Sequence, residues 1–147
     1  MKTLRFSLVL FLSLMAVYSF ASPGVKVHPK VLKAQKAVEN ASPDDWYTLA
    51  KSARVCITIG QNLKEASKWI DRSLKIYESD YNWEVKGDYY YRSNMPEKAI
   101  ECYSQSIKVG LNKVPGFNAR KLQEKILVLR SPKHFYKQRR VFSYIKK

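Results

Sequence analysis

Cysteine, histidine, glycine and acidic side chains are all scarce in this 147-residue chain. Its 2 Cys and 2 His are too few for the ligand clusters of metal sites or for a disulfide scaffold. His28 and His134 stand in opposite terminal segments, neither with a Cys, Ser or acidic residue at a catalytic or metal-binding spacing. The 5 Gly are scattered, so no Gly-rich loop is there to cradle a phosphate. Asp44-Asp45 has the position of a helix start, where carboxylates favour the positive helix end. These absences leave no constellation for catalysis, a metal, a cofactor or a small-molecule substrate. The expectation is a non-enzyme.

What is present is apolar side chains at 46% and a formal net charge of +15, from 27 Lys+Arg against 12 Asp+Glu. The apolar share is too high for a disordered chain, and the length suits one domain with a small core. A charge of this size invites nucleic acid, but its position argues otherwise. Residues 41–110 carry ten basic and ten acidic side chains; residues 111–147 carry eleven basic side chains against Glu124 alone. The middle of the chain is neutral and the excess sits at the ends, chiefly the C-terminal one.

Residues 1–21 read as a secretory signal. Lys2 and Arg5 give a positive start, Phe6 to Phe20 is an uncharged apolar run, and Ser19-Phe20-Ala21 places small residues where signal peptidase reads. The run is shorter than the ~20 residues a bilayer span needs. No Cys lies near the cut, so lipoprotein processing is not supported. The mature chain is expected to be periplasmic or secreted after cleavage near Ala21, which argues further against nucleic acid.

The middle reads as helices throughout, an all-α pattern with only weak strand signals. Ser42-Pro43-Asp44-Asp45 has the form of a cap followed by Pro at the first helical position, with Gly60 placed to end that helix. Asn62-Leu63-Lys64-Glu65 has the form of a capping-box variant, and Leu63, Ala66, Ile70 and Leu74 then mark one apolar face beside Ser73. Asp80 is placed to cap a helix holding Trp83, Gly87 and Tyr90; Asn94-Met95-Pro96-Glu97 opens another, with Gly110 placed to close it. Pro29 to Asn40 reads as a leading helix with Val31, Leu32 and Val38 inward. Asn118 to Arg130 reads as a closing helix with Leu122, Ile126 and Leu129 inward and its basic residues outward.

Two stretches repeat. Ala66-x3-Ile70-x2-Ser73-Leu74-Lys75 aligns with Ala99-x3-Tyr103-x2-Ser106-Ile107-Lys108 at an offset of 33 residues. With Trp83, Gly87, Tyr90, Ala99 and Tyr103, the second unit resembles the tetratricopeptide repeat family, whose unit is a pair of helices of about this period. Lys86 stands at the family's Leu, and its closing Pro is missing. The first unit is looser: Trp46, Leu49, Ala50, Ala53, Ala66 and Ile70. Its Trp-to-Ala distance is 20 against 16 in the second, which predicts a first helix longer by about one turn. The resemblance covers roughly 43–110. It implies about two antiparallel helical hairpins between N- and C-terminal capping helices, preceded by a leading segment at 22–42 and followed by a cap at 111–130.

The resemblance also implies that the first helix of each pair lines a partner groove. By position this face would present Tyr47, Lys51 and Arg54 from one unit and Glu84, Asp88 and Tyr91 from the next. Family members that grip a C-terminal carboxylate use cationic groups there, so Glu84 and Asp88 do not imply that activity. Binding of a protein or peptide, or scaffolding of an assembly, is the expected function. Cys56 and Cys102 read as small buried thiols. The tail at 131–147 supports the alternative of an anionic membrane or polyanion surface. It interleaves Lys133, Lys137, Arg139, Arg140, Lys146 and Lys147 with Phe135, Tyr136, Phe142 and Tyr144.

Overall fold

The computed structural model describes residues 26–131. Among these the chain is all-helical, with six helices and no strand: α1 Pro29–Glu39, α2 Trp46–Ile59, α3 Leu63–Ile76, α4 Asp80–Arg92, α5 Pro96–Lys113 and α6 Arg120–Arg130. Each helix packs on the next, and α2 also packs on α4.

The helix ends differ from the sequence reading where side chains compete for one set of free amides. Asp45, not Ser42, caps α2: its Oδ1 accepts from the Thr48 N–H at 2.9 Å. Ser42 to Asp45 instead forms a turn closed by the Asp45 N–H on the Ser42 carbonyl, which leaves Pro43 outside the helix. Asn62 precedes α3 with φ +56 and makes no side-chain bond to the helix amides, so no capping box forms there. Ser79, not Asp80, caps α4, and its partner in a full capping box is Asn82. Gly60 ends α2 at φ +83, a conformation that favours glycine.

Gly110 does not close its helix, which continues to Lys113. A Cβ there would meet the Phe117 ring at 2.4 Å, so this glycine serves close packing by the following loop. On α1, Val31 and Ala34 are buried whereas Leu32 is 53% exposed. The inward stripe is therefore Val31–Ala34, with Val38 half-buried.

The core has two parts. Val31, Ala34, Ala53, Cys56, Ile57, Ala66, Ile70 and Val85 join α1 through α4. Ala99, Tyr103, Leu122 and Leu129 join α5 to α6. Burying a side chain the size of Ile70 contributes roughly 1.5–3 kcal/mol. Ala53, Ala66 and Ala99 are completely buried.

The two hairpins share one hydroxyl bond. Ser73 Oγ, near the end of α3, donates to the Trp46 carbonyl at the start of α2, at 2.7 Å. Ser106 Oγ, in α5, donates to the Asp80 carbonyl at the start of α4, also at 2.7 Å. A late residue of one helix thus touches the first residue of its partner, which is antiparallel packing. The bond registers Trp46 with Asp80, hence Leu49 with Trp83 and Ala53 with Gly87. Trp46 is not the counterpart of Trp83. The extra turn predicted for the first helix is absent: α2 has 14 residues and α4 has 13. Asn82 links the hairpins by donating to Ser73 Oγ and to the Tyr77 carbonyl.

At Gly87 a Cβ would meet the Tyr103 ring at 2.4 Å. Because Tyr103 is buried and cannot swing clear, Gly87→Ala is expected to destabilise the fold by about 1–3 kcal/mol. Urea unfolding followed by circular dichroism measures this. An unchanged midpoint would contradict the packing described.

Candidate functional site

The face predicted as a groove is built by α2 and α4. Spacing of three and four residues puts Tyr81, Glu84, Asp88 and Tyr91 along one side of α4. Arg54 of α2 reaches across it, with Nη2 at 2.9 Å from Glu84 Oε2 and 3.5 Å from Asp88 Oδ2. Its guanidinium carbon lies 4.7 Å from the centre of the Tyr81 ring. Tyr47 stacks on Tyr81 with centroids 5.4 Å apart, and Lys51 Nζ lies 5.8 Å over the Tyr47 ring. Tyr47, Lys51, Arg54, Glu84 and Asp88 thus form one connected set. Tyr91 lies one turn beyond Asp88 and is 51% exposed.

Three contributors were missed. Tyr81 was legible from its spacing to Glu84. Tyr103 entered only as a position of the repeat motif, yet its hydroxyl donates to Asp88 Oδ1 at 2.8 Å. Lys125 gave no signal at all, because it is 41 and 37 residues from its partners. The closing helix was expected to turn its basic residues outward. Lys125 instead points inward, its Nζ at 2.7 Å from both Glu84 Oε1 and Asp88 Oδ1. The pull is electrostatic: without it, two carboxylates only 15% and 24% exposed face the Arg54 guanidinium and the more distant, exposed Lys121 ammonium. Lys125 also sits 5.0 Å over the Tyr103 ring, and Lys121 lies 3.7 Å from Glu84.

Burial by itself would raise the pKa of Glu84, but the hydrogen bond from Lys125 and the charge of Arg54 overcome this and hold it below the ordinary carboxylate value. Burial pushes Tyr103 upward, and the neighbouring Asp88 carboxylate adds to the rise. The phenol stays protonated and donates.

Beside Lys125 opens a cleft of about 370 Å³, lined by Asp88, Tyr91, Tyr103, Lys121, Glu124, Lys125, Val128 and Leu129. At the other end of the face, Trp46 stacks on Tyr77 at 5.1 Å and Lys113 covers the Tyr77 ring at 4.8 Å. The whole arrangement combines aromatic surface with compensated charge.

Elsewhere, His28 caps α1, its Nδ1 accepting from the Lys30 N–H at 3.1 Å. Cys56 and Cys102 are free, buried thiols, and burial raises the pKa of both, that of Cys102 to about 11. Among the described residues no helix is long and apolar enough to cross a membrane. The predicted signal at 1–21, His134 and the candidate anionic-surface residues Lys133, Lys137, Arg139, Arg140, Lys146 and Lys147 lie outside the described residues. Comparison of the chain with protein-family models, with curated proteins and with solved structures gives no match.

The Glu84 pKa is lower in the folded than in the unfolded chain. Its contribution is therefore present above the unfolded value and lost as pH falls through the folded one. Glu84→Gln is expected to cost about 1–3 kcal/mol at neutral pH and to make stability less acid-dependent. Urea titrations at neutral pH and below about pH 4 check both. For the thiols, neither Cys is expected to react quickly with a bulky disulfide reagent in the native chain at neutral pH, and both should react in denaturant. Rapid native labelling of Cys102 would contradict its burial.

Proposed function

We propose that this chain is a non-catalytic protein- or peptide-binding module of the tetratricopeptide kind, exported from the cytoplasm, with two repeat hairpins between a leading and a closing helix. The observation that carries the repeat reading is the shared bond of Ser73 to the Trp46 carbonyl and of Ser106 to the Asp80 carbonyl. It recurs at nearly the sequence period and orients both hairpins alike. Gly87 under the Tyr103 ring, with Ala66 and Ala99 fully buried, gives the close helix approach that the motif's small residues imply.

Stacked hairpins of this kind offer an extended face made by their first helices. Here that face ends in the cleft beside Lys125, where Tyr91 and Val128 are 51% and 60% exposed. Exposed aromatic and aliphatic surface around a few fixed charges is the make-up of a protein contact. Fold does not set the partner's identity; the site's chemistry has to do so.

A photocrosslinking residue at position 91, tested in the native extracytoplasmic compartment, is expected to trap one discrete protein partner. The same residue at position 68, on the exposed surface of α3, should trap none. Identical adducts from both positions, or no adduct from position 91, would remove this face from the argument.

A further inference from the structure

α6 buries Leu122 and Leu129 and packs mainly on α5, and Asn118 Oδ1 accepts from its first amide, that of Arg120, at 2.9 Å. Leu127 and Val128 point away from the core, 67% and 60% exposed. Yet Lys125 reaches past Tyr103 to join two carboxylates of α4.

Charge shows what this contact supplies. Without α6, Glu84 and Asp88 bring two negative charges against the single positive charge of Arg54. The site is then one cation short. Its seat is preset by the rest of the fold: Asp88 holds the Tyr103 hydroxyl, and the ring offers its face to an ammonium group. The occupant is a helix with basic residues four apart, Lys121 and Lys125, both directed at Glu84. Beside them run Leu122 and Leu129 with half-buried Ile126.

We propose that α6 is a displaceable occupant of the α2–α4 face, and that the partner of this face is an amphipathic basic helix delivering a Lys or Arg to Glu84 and Asp88 in place of Lys125. This rests on the binding role above and adds the partner's chemistry and an autoinhibitory contact. The partner carries a cation flanked by apolar residues three and four positions away, which take the places of Leu122 and Leu129 against Ala99 and Tyr103. Binding competes with closure of α6, so the face is open only in the fraction of molecules whose α6 has lifted.

The test uses the full chain carrying Lys125→Glu, which sets a third carboxylate against Glu84 and Asp88. The probe is a fluorescent peptide of residues 118–131. It is expected to bind Lys125→Glu roughly tenfold or more tightly than the unaltered chain, and to weaken by roughly tenfold when the peptide itself carries Lys125→Gln. Equal binding to both chains, or by both peptides, overturns the proposal. So does loss of all helical signal in Lys125→Glu, since α6 would then be inseparable from the fold. A dimer of the unaltered chain that Lys125→Glu abolishes would overturn a separate partner in favour of a second copy.

Hydrogen exchange on the unaltered chain gives an independent reading. The amides of α6 are expected to exchange before those of α4 and α5, and faster as salt rises from about 50 to about 500 mM. Exchange of α6 only with global unfolding overturns the proposal. None of these readouts involves a cellular partner, so they succeed or fail separately from crosslinking at position 91.

Discussion

The approach of the Tyr103 ring to Gly87 is the contact from which the second hairpin and its site follow. A missing side chain on α4 lets an aromatic ring of α5 lie where a Cβ would stand. That closeness brings the phenol within 2.8 Å of Asp88, the next residue along α4. It also turns the ring face toward Lys125 of α6. One packing decision in the core therefore fixes the position of a carboxylate and prepares the seat of an ammonium group on the face above it.

Charge then does locally what apolar packing does elsewhere. The core joins α1 to α4 in one cluster and α5 to α6 in another. Arg54, Glu84, Asp88 and Lys125 cross the division, linking α2, α4 and α6. Partly buried ion pairs of this sort add little net stability over an apolar alternative, but they are costly to break from one side. They suit an arrangement in which one cation can be exchanged for another. Lys121 and Lys125, two of the basic side chains of residues 111–147, serve this site, where positive and negative groups answer one another.

Much of the fold was legible from local pattern. Ala66, Ala99 and Ile70 lie at helical spacing and are buried; Ser73 and Ser106 repeat in sequence and make the same bond. Helix ends were read less well, because Ser42, Asp45, Ser79 and Asp80 are all capable caps, and sequence alone does not say which oxygen reaches the free amide. Gly110 was misread for a related reason: a glycine near a helix end can stop a helix or admit a neighbour, and only the arrival of Phe117 distinguishes the two.

The sequence by itself determined the helical period, the neutral middle between basic ends, and which residues of α4 lie along one side of it, because all of these depend on neighbours within a few positions. Only the tertiary structure decided that Lys125 turns inward and that Tyr103 serves the site as well as the core. It also decided that Trp46 and Trp83 are not counterparts. Each depends on groups brought together from distant positions, where the demand of two half-buried carboxylates for a cation outweighs the helix's preference to keep a lysine in water.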